Sequence, residues 1–559
     1  MKEEIQKAVS KSLEIINSNL DVSNYSIEIS IPKKREFGDF STNIALIISK
    51  DVGMDPRDVA NSIILNLPEV VRDLFKKVEI AGPGFINFFV KEESIINKLS
   101  GIEYLGKNYG NSNIGNGERI IVEFVSANPT GYLHMGHARN ACVGDAISNI
   151  LAAVGYDVTR EFFINDAGRQ VFLLGHSVYK KYEEFFGING EILEDGYHGE
   201  YIREIARQIK EEKGDKLLAE GFEQKESIDY CRDYAKNILL DEIKNDLNDI
   251  GVIFDNWYSE EREIYNISTD NEGDNLINKV KSKLNDIGAT EIKDGALWFK
   301  ASEFGDSQDW VIFRKDGSPT YLIADIGYHY DKINRGFRKL INVWGADHHG
   351  HVSRIKAALR ALGLDDSSLQ VVLIQFVRLM SNGQEISMSK RTGSYVTMRE
   401  VLREVGRDVT RFFLLMRSSD SHLDFDLDLA KQESSENPVF YVQYAHARIG
   451  SIFEKARERN LEPIEKYINL LRHPEEVEIT KNLLQFPEVV RECAISLSPH
   501  KVAYYLTEIA SSFHMYYNKH RIIVDDIALS GARLYFIGCI RTVLRNGLSL
   551  LGVSAPEKM

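Results

Sequence analysis

Apolar and polar positions change rhythm three times along the 559 residues. From Met1 to about Tyr109, a stretch with helical spacing precedes the alternating run YSIEISIP, the segment FGDFSTNIALIISK and the run AGPGFINFFV. Alternation at every second position predicts a strand, and recurrence at three and four predicts a helix, so residues 1–109 read as a small α+β module. The glycine- and asparagine-rich run from Gly106 to Gly117 has the composition of a linker. After it come a buried strand (RIIVEF), a loop broken by proline and glycine, a long helix and a second strand (DVTREFFI), which together make one βαβ unit. Residues 166–300 return to helical spacing, and LINVWGADHHG and LQVVLIQFVRL then resume strand-like runs. A parallel-sheet domain at 118–428 is therefore expected, split by an insertion around 166–300. Over 429–559, NPVFYVQYAHARIGSIF, HKVAYYLTEIASSFHMYYNKH and ARLYFIGCIRTVLRNGLSLLGV keep helical spacing and predict a bundle. The predicted class is α/β: a Rossmann-like parallel-sheet domain with an insertion, a small N-terminal α+β domain and a C-terminal α-helical bundle.

Composition narrows what such a chain does. Apolar residues at 43% and charged residues at 27% are globular values and exclude disorder. The formal charge of −15 opposes generic attraction to polyanions, so any nucleic-acid contact must be local. Residues 431–559 carry sixteen Lys and Arg against fifteen Asp and Glu and are the least anion-repelling part. Cys142, Cys231, Cys493 and Cys539 form no CxxC pair and no close Cys/His spacing, so neither a disulfide framework nor structural zinc is expected. No stretch approaches the roughly 20 apolar residues of a membrane span, and the mixed-charge N-terminus carries no apolar core. A cytoplasmic protein with no membrane partner is expected.

Candidate chemistry sits at two places. His134-Met135-Gly136-His137 follows the strand and opens a helix, where backbone N–H groups already favour negative charge. Two imidazoles three residues apart, with a glycine that permits close approach, suit a triphosphate. Taken alone, such histidines serve equally for capping or packing. Far downstream, Ser387-Met388-Ser389-Lys390-Arg391-Thr392-Gly393 is a small basic loop. Its lysine can close over phosphates and offset charge on a leaving pyrophosphate, although alone it reads as a solvated turn. The pair together points to ATP better than either does separately.

With these two motifs the chain resembles class I aminoacyl-tRNA synthetases. EFVSANPTG, NDAGRQ (Asn165 to Gln170), WGADHHGH (Trp344 to His351), LDFDLDLA and NPVFYVQYAHAR (Asn437 to Arg448) narrow the resemblance to the bacterial-type arginyl-tRNA synthetases. It runs from the FGD and AGPGFIN segments to the terminal APEKM. The resemblance implies ligation of L-arginine to tRNA(Arg) through an arginyl-adenylate, with ATP and Mg2+, and activation of arginine only once tRNA is bound. It implies an N-terminal domain that touches the tRNA elbow and a helical domain that binds the anticodon. It places His134, Gly136, His137, Asp347, His348, Met388, Ser389 and Lys390 at ATP, with His134, His137 and Lys390 catalytic. Two positions depart from the family: Ser387 stands at the first lysine of the KMSKS-type signature, and Tyr132 stands where proline is frequent.

A guanidinium is a planar fork of donors that wants carboxylates in bidentate geometry, ideally with an aromatic or hydroxyl partner. Tyr321 and Asp325 lie four apart, so on a helix they share a face. By resemblance they match the arginine-binding Tyr and Asp; otherwise they read as a core aromatic and a helix N-cap. Glu123, Ser126 and Asn128 border the strand end before HMGH, where open α/β sheets bind ligands, and suit the α-ammonium and polar groups of arginine. Glu260 is similar to a family position on the guanidinium, a solvated glutamate being the alternative, and His348 borders both arginine and ATP. His349 and His351 invite a metal but bring no matching carboxylate or cysteine, so no metal site is expected. For tRNA, Tyr441, Tyr444, His446 and Arg448, then Tyr504, Tyr505, Tyr516, Tyr517, Lys519, His520 and Arg521, offer stacking faces beside basic groups, and Tyr441, Tyr444, Arg448 and Tyr517 are the chosen contacts. Most of these tyrosines are expected to pack internally. Another class I amino acid, or a retired synthetase that only binds tRNA, are the competing readings, and a monomer is expected.

Overall fold

The computed structural model describes residues 1–16, 21–32, 34–219, 223–265, 275–386 and 396–559. They divide into two compact units. One is Met1–Gly106 with Ile452–Gln485 and Ser512–Thr542; the other is Lys107–Ser451 with Phe486–Ser511 and Val543–Met559.

In the first unit, β1 (Phe40–Thr42), β2 (Phe75–Ala81) and β3 (Phe85–Val90) form an antiparallel sheet in the order β1-β3-β2. The run YSIEISIP, expected as a strand, makes only one bridge, in which Ser30 and Ser41 exchange both backbone hydrogen bonds at 2.9 Å. Its alternation still sorts the side chains, burying Ile27 and Ile29 and exposing Ser26, Glu28 and Ser30. The neighbouring strand β1 is too short to extend the ladder. The helix Lys2–Ile16 buries Ile5, Val9 and Leu13, one turn apart, as its spacing predicts. Asp39 of the FGD segment accepts the Val90 N–H at 2.8 Å and pairs with Lys481 Nζ at 2.5 Å.

The second unit holds a five-stranded parallel sheet. Its strands are β4 (Arg119–Glu123), β5 (Asp157–Ile164) and β6 (Asn256–Ser259), and, after the small antiparallel sheet β7 (Thr290–Lys293), β8 (Ala296–Phe299) and β9 (Trp310–Phe313), β10 (Lys339–Gly345) and β11 (Leu369–Ile374). Their order is β11-β10-β4-β5-β6. Helices cover both faces, which is why these strands read as near-continuous apolar runs. The helix Met135–Ala153 approaches β4 so closely that a Cβ on Gly144 would lie 2.2 Å from the Phe124 ring. Against the opposite face, the helices Tyr321–Asn334 and His349–Ala361 share a core with Ile121, Phe163 and Leu340. Strand order reverses between β4 and β10, so the chains leaving their carboxyl ends diverge and open the crevice where such sheets take ligands.

The stretch 166–300, expected as an insertion, holds the helices Arg169–Glu184, Glu200–Lys213 and Gln224–Asp249 around a core that includes Leu174, Tyr182, Ile205 and Leu239. It also contributes β6 to the parallel sheet. Four residues, NWYS, carry too little pattern to announce a strand; pairing with β5 decides it. The C-terminal helices Pro438–Glu458, Phe486–Ser496, His500–Lys519 and Ile527–Leu550 follow the predicted spacing. Contrary to expectation, Ile527–Leu550 is by length and composition apolar enough to cross a membrane. Of its most apolar window, 72% is buried inside the protein, the condition of a core helix.

Candidate active site

Local chemistry builds the first half of the site. His134 is the N-cap of the helix Met135–Ala153, and its Nδ1 accepts the N–H groups of Gly136 (3.1 Å) and His137 (3.3 Å). In return His137 Nδ1 accepts the His134 N–H at 3.3 Å, a capping box made of two imidazoles. The rings stack with centroids 3.8 Å apart and planes at 11°. Because both Nδ1 lone pairs receive backbone N–H groups, each neutral ring carries its proton on Nε2, the tautomer that donates to a phosphate oxygen. Gly136 is required for this arrangement: a Cβ there would come within 2.9 Å of the His134 ring.

The chain between β4 and this helix is strained and tied down on every side. Val125 and Ser126 adopt φ of 65° and 38°, a costly region for a β-branched residue. Asn140, one turn beyond His137, accepts the Val125 N–H at 2.7 Å and donates to the Val343 carbonyl of β10 at 2.8 Å, clamping the two diverging strands. Asn165 donates to the Ser126 carbonyl at 3.1 Å, and Asn128 donates to Gln170 at 2.5 Å, so NDAGRQ fixes this loop. Glu123, expected near the α-ammonium, is buried and already neutralised: Lys332 Nζ lies 2.6 Å from Oε2, and Ser126 Oγ donates to Oε1 at 3.0 Å. Period two explains the encounter, since Glu123 shares a sheet face with Ile121, against which the helix Tyr321–Asn334 packs. Lys332 continues to Asn342 (3.2 Å), whose amide meets His329 Nε2 at 2.7 Å.

An acidic cluster forms the second half, on the helix Tyr321–Asn334 and at the end of β6. Tyr321 opens that helix and is exposed, and Asp325 lies one turn further; Thr320, not Asp325, is the N-cap. Asp325 Oδ2 is 2.7 Å from His351 Nε2. Glu260 opens the single π-turn Glu260–Ile264 directly after β6. Asp166 sets that turn by accepting the Ser259 hydroxyl (2.7 Å) and the Glu261 N–H (2.8 Å). Glu260 is only 3% exposed and its Oε2 is buried without a hydrogen-bond partner. Burial first, then the charges of Asp325 and Asp166, push its carboxyl up to about 8. Burial and the charges of Glu260 and Asp325 likewise raise the neighbouring Tyr265 phenol. A buried carboxylate with an unused oxygen, facing a second carboxylate, is a site for a cation.

Asp347 and His348 occupy a short turn beyond β10 and are exposed, with His348 Nε2 3.7 Å from Asp347 Oδ2. Ser387, Met388, Ser389 and Lys390 lie outside the described residues. The chain just after them returns to the first motif: Thr397 bridges His134, and the Met398 N–H donates to the Leu133 carbonyl at 2.8 Å. Tyr132, the departure from proline, packs on Tyr201 (5.5 Å between centroids) and under Arg399 (5.9 Å). Arg399 in turn binds Asp246 at 2.6 Å and Glu242 on the helix Gln224–Asp249. Of the tRNA candidates, Tyr441, Tyr444, Arg448 and Tyr517 are half-buried. The Arg448 guanidinium lies 4.6 Å from the Tyr444 ring centre. Tyr505 and Tyr516 are buried and Tyr504 is exposed. Sequence reasoning missed Asn140, Lys332 and the partnership of His351 with Asp325. Asn140 alone carried a signal, one helical turn beyond His137.

A parallel sheet that opens at its strand-order reversal onto a His-x-Gly-His helix cap, and continues into an all-helical C-terminal part, defines a class I aminoacyl-tRNA synthetase. Residues 102–422 match the family described as "tRNA synthetases class I (R), catalytic domain". Residues 1–90 match "Arginyl tRNA synthetase N terminal domain", and 442–559 match "DALR anticodon binding domain". The arginine–tRNA ligase of Geobacillus kaustophilus is 45% identical over 563 residues, covering 100% of this chain and 98% of its own. That of Geobacter sp. (strain M21) is 44% identical, with both chains covered at 100%. The chain belongs to the arginyl-tRNA synthetase family. Among solved structures, a putative arginyl-tRNA synthetase from Campylobacter jejuni superposes with a TM-score of 0.75 at 32% identity, covering 84% of this chain and 100% of its own. The Thermus thermophilus arginyl-tRNA synthetase, at 21% identity and a TM-score of 0.74 with both chains covered at 100%, shares the fold.

Proposed function

We infer that this chain joins L-arginine to its cognate tRNA with ATP, through an enzyme-bound arginyl-adenylate, for translation in the cytoplasm and as a monomer. The observation that carries the choice of arginine is the buried Glu260 carboxylate in the field of Asp325, whose Oε2 has no hydrogen-bond partner. A guanidinium supplies the charge and a donor for that oxygen, and the exposed Tyr321, one turn from Asp325, adds a phenol. The Glu123–Lys332 pair leaves Glu123 a positioning residue for Ser126 and the loop, and leaves the α-ammonium to Asn128.

In the first step the arginine carboxylate oxygen attacks the α-phosphorus of ATP. The bond to the bridging oxygen breaks, and pyrophosphate leaves with that electron pair. Catalysis is positioning and charge neutralisation. His134 and His137 donate from Nε2 to phosphate oxygens, Gly136 lets the chain approach them, and Asp347 and His348 border the nucleotide. Lys390, with Met388 and Ser389, closes on the pyrophosphate; the backbone pairing of Thr397 with His134 supports that role. Magnesium enters with ATP as part of the substrate. In the second step a terminal ribose hydroxyl, the 2′ by class, attacks the arginyl carbonyl and AMP departs. Tyr441, Tyr444, Arg448 and Tyr517 contribute to holding the tRNA.

ATP–pyrophosphate exchange with arginine, run with and without cognate tRNA, tests this reading. Exchange that requires tRNA is expected. No exchange in either condition, with tRNA still bound, would make the chain a retired synthetase that only binds tRNA, and exchange without tRNA rejects only the ordering.

A further inference from the structure

The reaction leaves a cluster of ligating side chains unused. Among the described residues, His473, Glu475 and His520 place potential ligand atoms within 4.8 Å of one another. All three belong to the first compact unit. His473 is the N-cap of the helix Pro474–Leu483 and Glu475 stands in its first turn, while His520 follows directly on the helix His500–Lys519. The two imidazole centroids are 4.3 Å apart, and His520 Nε2 lies 3.7 Å from Glu475 Oε2.

Three features suit this cluster to a cation. His520 Nε2 is buried with no hydrogen-bond partner, and a buried polar atom left in that condition calls for a ligand. Two imidazoles and a carboxylate are the donor set of zinc and its neighbours, with a fourth position for water. Adjacent ligands at zinc bond lengths stand about 3.4 Å apart in a tetrahedron, so the His520–Glu475 edge is nearly formed. The surroundings leave the site open. Lys519 donates to the other oxygen of Glu475 at 3.1 Å and is mostly exposed. Tyr516 and Arg533 are both directed at Glu476, at 2.7 and 3.4 Å.

We propose that His473, Glu475 and His520 bind one divalent transition metal of the zinc class, which fastens the start of one helix to the end of another. The test titrates the metal-free full chain with Zn2+ by calorimetry and with Co2+ by visible absorption. One equivalent should bind, with the intense ligand-field bands of four-coordinate cobalt and a raised thermal midpoint. Losing even an outer-shell partner weakens metal sites about 10- to 100-fold, so His520→Gln or His473→Asn should lose more than about 100-fold in affinity. Glu475→Gln, partly exposed and conservative, gives the same reading if a histidine variant folds poorly, as judged by circular dichroism. His137→Ala should retain the site. The proposal is overturned if the wild-type chain binds no metal, if the double variant His473→Asn/His520→Gln binds it unchanged, or if His137→Ala abolishes binding.

Discussion

Glu260 shows how one residue ties substrate choice to protonation. Its carboxyl is buried and raised to about 8, so the free enzyme holds it protonated at neutral pH. If Glu260 binds the guanidinium as proposed, arginine needs it ionised and displaces that proton on binding. Arginine affinity is therefore expected to strengthen as pH rises toward and through 8, and the dependence should vanish in Glu260→Gln. A charge-assisted hydrogen bond is worth about 1.5–3 kcal/mol, so that variant should raise the KM for arginine by roughly 10- to 100-fold, with kcat less affected. Identical pH profiles of KM in the two proteins would remove Glu260 from arginine binding. Stability moves the opposite way. The unfolded chain releases this proton near the ordinary carboxylate value of 4.5 while the folded state keeps it to about 8. The stabilisation is thus complete below 4.5 and is lost as pH rises through 8. The residue was a candidate by resemblance alone. Its burial and its orphan oxygen depend on Asp166 and Asp325, 94 and 65 residues away in the chain.

At the scale of elements, the helix Met135–Ala153 is a scaffold and, in the proposed reaction, also carries the reagents. Its first turn folds the two imidazoles into a cap, and Gly136 keeps that turn clear. Gly136→Ala should push the new Cβ into the His134 ring and weaken a cap worth about 1 kcal/mol. Turnover in the charging reaction is expected to fall well beyond any change in the arginine KM; equal turnover would show that the cap geometry is dispensable. One turn on, Asn140 serves Val125 and Val343 at once. Asn140→Ala leaves a buried N–H and a buried carbonyl unpaired, at about 1–3 kcal/mol each, and frees a loop strained at Val125 and Ser126. A lowered thermal midpoint is expected together with a raised arginine KM. An unchanged midpoint would mean that the neighbouring hydrogen bonds of Asn165 carry the loop. The elements themselves were legible because apolar period and loop composition act over a few residues. The strand β6 was not, for it is defined by its partner.

For the whole molecule, a charge of −15 means that tRNA is held by local chemistry against the average field. The KM for tRNA is expected to rise with salt, as counterion release requires. Tyr444→Ala should raise it further by removing a stacking face worth about 1–3 kcal/mol, leaving the arginine KM in place. A tRNA KM indifferent to that change would return Tyr444 to a purely internal role with Arg448. What the order of residues settled acts within a turn or a strand: the alternation that buries Ile27 and Ile29, and the helices of the C-terminal third. Folding in three dimensions decided the rest. Glu123 met Lys332, Asp325 met His351, and Glu260 came to face two other carboxylates. These meetings follow from which strand lies beside which and in what register. No spacing along a chain encodes that, because hydrogen-bonded neighbours in a parallel sheet are separated by whole helices.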